Sequence, residues 1–297
     1  MKIKIGLVYL FLLTGPVLFA LDTKIDMKGT IEWGEQKVEA EASLYLPSAG
    51  ISLPGGRAQA EQTVNSNFPG LVQGALLSIP VDSSSTLADL VKRNEYDLRT
   101  LSNIALTAKK FPPALSLDMQ YLTGKFTIFL KDIRAELVKH RTLADIPRTL
   151  TPVPARAYTG IVILAQDELP VHGRQGKAYP VPCIFPKIWD SRMNLIYEKN
   201  MVQPETARNN GIVKYAGPGT ILRPTPSGMD DDLIKLVGTN PLRIIAKGVF
   251  GVIPTDPVID RDDALVIISN EENRKLLQEG KVVIILNEST IKKALSF

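Results

Sequence analysis

The sequence predicts an α+β protein, with an N-terminal antiparallel sheet packed with helices (ββααββ) followed by a β-rich C-terminal domain with one main helix. Three observations predict it. Apolar residues alternate with a period of two over residues 24–46 and recur at helical spacing over 57–79. After a proline-bearing stretch, the second half turns to short continuous apolar runs such as YTGIVIL (158–164) and KVVIIL (281–286).

The chain has 297 residues with a formal charge of +4, and 44% of it is hydrophobic against 22% charged. That balance excludes a disordered or collagen-like chain and allows one large domain or two smaller ones. Basic residues form no long run, and Lys92-Arg93, Lys109-Lys110 and Lys292-Lys293 are isolated pairs. A nucleic-acid binder clusters such charge on one face, so no nucleic-acid partner is expected and the pairs read as solvated faces.

Residues 1–20 read as a secretory signal peptide: Met1-Lys2-Ile3-Lys4 is a basic start, 5–19 is almost wholly apolar, and Ala20 is small enough to precede the cut. The apolar run is shorter than the ~20 residues a spanning helix needs. Export with cleavage is expected, a retained anchor being the alternative. Cleavage removes Lys2 and Lys4 and lowers the charge from +4 to +2. The expected location is the periplasm, with no membrane span after cleavage. Cys183 is the only cysteine, so no intramolecular disulfide staples this chain.

The elements follow in order. Residues 24–33 and 38–44 form two strands joined by a turn at Gly34-Glu35-Gln36. Residues 47–56 are a Pro/Gly loop. A helix spans 57–79, with Val64, Phe68, Val72, Leu76 and Ile79 on one face and a kink or break expected at Pro69. Thr86 or Ser85 caps a short helix through Val91, and a longer helix runs from 95 to 109 until Pro112-Pro113 stops it. Strands follow at 114–121 and 125–130 around a Thr123-Gly124 turn, then a helix over 132–140. These make a domain over 21–140. Residues 141–157, with Pro147, Pro152 and Pro154, read as a linker. In the second domain, 158–297, strands are expected at 158–164, 181–188, 194–197, 211–215, 242–250, 264–268 and 281–286. Residues 204–210 read as a helical turn and 217–228 as loop. The main helix, over 271–279, is capped by Asn270 and closed by Gly280.

The catalytic signals are weak, and none is assigned a catalytic, cofactor or metal role. Glu136 and His140 stand four apart on a predicted helix and could share a metal face, but a surface contact explains them as well, and transition metals want several His or Cys ligands. Cys183 lies in an apolar run with no neighbouring histidine, the setting of a buried inert thiol. His172 sits in a Gly/Lys-rich loop without a partner. There is no G-x-S-x-G elbow and no Walker loop; Gly217-Pro218-Gly219-Thr220 has a proline that removes a donor. Asp230-Asp231-Asp232 reads as the acidic first turn of a helix. Asp256, Asp260, Asp262 and Asp263 read as an acidic loop, with weak calcium binding as the alternative, although EF-hand spacing is missing.

The runs GTIEWGEQKVEAEASLYL (29–46) and GRAQAEQTVNSNFPGLVQGALLSIPVDSSSTLADLV (56–91) resemble the bacterial twenty-kilodalton lipoprotein domain. YTGIVILAQDE (158–168), NPLRIIAKGVFG (240–251) and ALVIISNEENRKL (264–276) look like the C-terminal region of exported proteins of that group, which is similar to the flagellar assembly protein T and flagellar lipoprotein P families. The chain departs in lacking a lipid-acceptor cysteine near the signal boundary. The resemblance implies a non-enzymatic periplasmic structural or assembly protein of the flagellar motor or basal body. Its partners would be envelope or motor proteins, or further copies of itself. The alternatives are an envelope binding module for peptidoglycan or calcium, and a periplasmic hydrolase.

Overall fold

A computed structural model describes residues 25–149, 153–221 and 229–297. The signal-peptide reading therefore lies outside the described residues, as do Pro152 and positions 222–228 of the Gly/Pro stretch.

The first half runs β1 (Ile25–Glu32), β2 (Lys37–Tyr45), α1 (Arg57–Leu77), α2 (Leu87–Lys92), α3 (Leu98–Leu106), β3 (Lys109–Lys110), β4 (Ala114–Leu115), β5 (Tyr121–Phe129) and α4 (Leu130–Leu137). The second half adds β6 (Ile161–Leu164), β7 (Leu169–Pro170), β8 (Lys177–Ala178), β9 (Ile188–Asp190), β10 (Leu195–Tyr197), α5 (Pro204–Asn209), β11 (Lys214–Ala216), α6 (Asp231–Val237), β12 (Leu242–Ile245), β13 (Gly248–Phe250), β14 (Asp256–Ile259), α7 (Arg261–Ser269), α8 (Glu271–Gln278), β15 (Val282–Ile285), α9 (Glu288–Ile291) and β16 (Lys292–Ala294). The class is α+β.

The N-terminal sheet is antiparallel, in the order β16-β1-β2-β5-β3, with β4 also on β5. β2 alternates as its sequence requires: Val38, Ala40, Ala42 and Leu44 face the core, and Lys37, Glu39, Glu41 and Ser43 face away. α1 lies on the core face. It runs unbroken through Pro69, because Val64 and Phe68 before it and Val72 and Leu76 after it are all buried. Phe68 stacks on Phe126 with centroids 3.7 Å apart. Burial on both sides outweighs the ~3 kcal/mol that an internal proline costs.

The expected turn at Thr123-Gly124 is instead inside β5, which is continuous from Tyr121 to Phe129. The turn comes earlier, where Met119 takes φ +58° and donates to the Ser116 carbonyl at 2.9 Å. Gly124 is small for another reason: a Cβ there would meet Val64 Cγ1 at 3.0 Å, so the glycine lets α1 sit close. The far edge of this sheet is blunted by the short strands β3 and β4, with Pro112-Pro113 between them.

The second half contains an all-parallel sheet, β11-β15-β6-β12, and a mixed one, β10-β9-β14-β13. The continuous apolar runs become β6 and β15, the two central strands, buried on both faces as parallel strands are. Edge strand β12 alternates instead, with Leu242 and Ile244 in and Arg243 and Ile245 out. The expected strand at 242–250 is two strands, β12 and β13, in different sheets. Residues 264–268 lie in α7 rather than a strand. Asp260 caps it by accepting from Asp262 N, Asp262 and Asp263 occupy its first turn, and Ala264 and Ile267 bury its core side. α8 forms where expected, with Gly280 at φ +67° behind it.

The Tyr158-Thr159-Gly160 motif has a steric reason. Thr159 Oγ1 donates to the Val237 carbonyl at 2.6 Å and accepts from Asn240 N at 3.0 Å. A Cβ on Gly160 would stand 2.5 Å from Val237 Cα. Only glycine lets α6 approach this closely.

The two halves share one core. After β15 the chain returns to the N-terminal sheet, where β16 pairs antiparallel with β1 through Thr30↔Ala294 and Glu32↔Lys292. Segment 184–185, expected as strand, docks on the first half instead: Ile184 N donates to Pro80 O at 3.1 Å and Phe185 N to Val81 O at 2.8 Å. Arg134 of α4 reaches the second half, donating to the carbonyls of Arg208 and Asn209 at 3.1 and 2.8 Å and to Gln36 Oε1 at 3.1 Å.

Candidate functional site

Most side chains singled out for chemistry are engaged in holding the fold. Cys183 is buried, and burial pushes its thiol up, away from the thiolate a nucleophile needs. The Tyr215 hydroxyl accepts from Cys183 N at 3.1 Å and donates to Cys183 O at 3.0 Å. Glu136 and His140 do not share a helix face, because α4 ends at Leu137. The His140 ring meets the Val202 carbonyl through Nε2 at 2.9 Å. His172 is exposed beside Phe250. At Gly217, the Glu288 carboxylate occupies the space a Cβ would need, the wrong charge for a phosphate cradle.

The acids are distributed by the secondary structure. Asp230 caps α6 by accepting from Asp232 N at 2.9 Å, in keeping with the helix expected there. Asp256 is not in an acidic loop. It is fully buried in β14 and accepts from Lys187 N at 3.1 Å, Trp189 Nε1 at 3.1 Å and Thr255 Oγ1 at 2.9 Å. Burial raises its carboxyl above the usual carboxylate range, and these donors pull it partly back. Asp260, Asp262 and Asp263 start α7. Among the described residues no three His, Cys, Asp or Glu side chains converge as a metal site.

A concavity does form where the halves meet, a cleft of about 610 Å³. The first half contributes Arg93, after α2, and Lys139, after α4; the second contributes Lys187 and Lys199. Its three acids already have close partners. Asp82 Oδ1 accepts from Ser84 N and Oγ at 2.8 and 2.9 Å. Glu95 pairs with Arg93 at 2.9 Å, and Glu198 Oε1 accepts from Asn200 Nδ2 at 3.1 Å. Arg93 also donates to Ser85 Oγ at 3.1 Å, and Lys139 Nζ to the Glu95 carbonyl at 3.1 Å. The Lys199 ammonium lies 5.0 Å from the centroid of the Phe185 ring. Burial lowers its pKa from the ordinary lysine value, with Asp82, Glu198 and Glu95 opposing the shift.

Sequence reading missed this cleft. Lys92-Arg93 reads as a solvated pair, and nothing in the primary order links it to Lys187 or Lys199. Their proximity is made by the docking of 184–185 on 80–81.

Residues 24–136 match the family model for the N-terminal domain of Treponema pallidum Tp0624, and residues 160–288 match that for its second domain. Both halves of the chain are similar to domains of one protein. They occur here in the same order. The two matched ranges straddle the segment between α4 and β6, and the β16 clasp lies beyond the second. Neither match is to a flagellar lipoprotein family. A comparison with curated proteins gives no match.

Proposed function

We propose that this chain is a non-enzymatic, exported structural or assembly protein of the cell envelope, associated with the flagellar motor or basal body. One observation carries the reading: the residues most suited to chemistry are built into the framework. Asp230 and Asp260 cap helices, Asp256 anchors β9 to β14, and Cys183 is sealed under Tyr215. Two interlocked halves with a shared core suit a part that must keep its shape within a larger assembly. Envelope or motor proteins, or further copies of the chain, are its partners. The export signal of residues 1–20 supports a periplasmic location, and cell fractionation checks it.

The test is deletion of the gene, followed by imaging of motors in intact cells and a swimming assay. The expected result is a missing ring, disc or collar with impaired swimming. Intact motors and normal swimming would overturn the flagellar assignment.

A further inference from the structure

We propose that the cleft between the two halves binds a small organic anion, a molecule presenting carboxylate or phosphate groups on a compact body. This goes beyond the structural role above and does not depend on it. The volume of about 610 Å³ lies in the range of small-molecule sites, ~300–1,000 Å³. Four cations line it against three acids, an excess of one positive charge, and of the acids Glu95 is already paired with Arg93 while Asp82 and Glu198 are held in place by Ser84 and Asn200. Among the described residues, no carboxylate oxygen lies within 4.0 Å of the Lys139, Lys187 or Lys199 ammonium. The net charge of the lining is thus positive and faces a concave space, which focuses the field on an incoming anion.

Lys199 is the sharpest feature. It is half-buried over Phe185, and among the described residues no carboxylate oxygen lies within 4.0 Å of its ammonium, so Asp82, Glu198 and Glu95 act on it only from a distance. An ammonium withdrawn from water is costly unless a partner charge is supplied, and a bound anion supplies it. Phe185, Leu90 and Leu137 give the cleft an apolar wall for the body of the ligand. Because Arg93 and Lys139 come from one half and Lys187 and Lys199 from the other, the ligand would bridge the junction.

The test uses the purified full-length chain in thermal melts at constant ionic strength, with inorganic phosphate, citrate or chloride added. The expected result is a saturable rise in Tm of several degrees with phosphate or citrate and none with chloride, since a ligand of the folded state stabilises it. A response to phosphate alone assigns a phosphorylated ligand, and to citrate alone a carboxylate. Lys199→Met should abolish the rise without lowering the melting temperature of the unliganded protein. A second readout needs no variant: the anion should protect Lys187 and Lys199 of the native protein from amine acetylation several-fold, but not the exposed Lys92. The absence of any saturable shift, or an equal shift in the Lys187→Met/Lys199→Met variant, would overturn the proposal.

Discussion

The indole Nε1 of Trp189 donates to Asp256 Oδ2 at 3.1 Å, across two strands that pair in parallel at Val258↔Trp189. The second oxygen of the carboxylate takes Lys187 N and Thr255 Oγ1, so one buried acid ties the 187–189 segment to β14. Asp256→Ala leaves three donors unsatisfied and should cost about 3 kcal/mol in urea unfolding. The raised folded-state carboxyl sets the sign with pH. The folded chain holds this proton more tightly than the unfolded one, so the contribution of Asp256 falls as pH rises from the ordinary carboxylate value through the raised one. The deficit of the variant should therefore be larger near about pH 3 than near about pH 8.

Tyr215 and Cys183 form a sealed pair. Tyr215→Phe removes the hydroxyl that serves both the N–H and the carbonyl of Cys183, and should cost about 2 kcal/mol. The thiol should resist iodoacetamide in the native protein and react once urea unfolds it. Labelling of Cys183 in the native protein at the unfolded rate would contradict its burial.

Arg134 holds the halves together with hydrogen bonds to main chain and amide acceptors rather than to a carboxylate. Burial pushes its guanidinium down to about 10, against an opposing pull from Asp132. Arg134→Met strands the Arg208 and Asn209 carbonyls and should destabilise by about 2–4 kcal/mol. Arg134→Lys should recover little, since an ammonium cannot reproduce the planar fork that reaches both segments. Urea melts of the two variants check this.

The β16 clasp should loosen in acid. Lys292 is the main cause of the lowered pKa of Glu32, with Lys37 adding to it at 3.3 Å and burial opposing. A depressed carboxylate stabilises the fold above its unfolded value of ~4.3, and that stability is lost as pH falls through the folded value. Hydrogen exchange at 292–294 should therefore accelerate in acid relative to a global reference. Glu32→Gln should show the faster exchange already at neutral pH, with a global cost on the order of 0.5 kcal/mol.

The class, the alternating strand β2, the apolar face of α1, the capped helices α2 and α8, and the positions of β6 and β15 are legible in the amino-acid order. Each rests on local rules: periodicity, capping and turn chemistry act over a few residues. Most departures of the structure from the sequence reading come from a distant contact, and one from a local cap. Pro69 stays inside a helix because the sheet holds both sides of it. Gly124 is a seat for α1 rather than a turn. Residues 264–268 have the composition of a strand, but Asp260 caps them into a helix that buries Ala264 and Ile267 fully and packs Val266 and Ile268 against the core in part.

The parallel pairing in the second half, the return of β16 to β1 and the cleft with its four cations arise from long-range packing. Strand partners and clefts are set by which remote segments bury each other's apolar faces. Arg93 and Lys199 lie far apart in the chain, and no local pattern carries the information that they line one space.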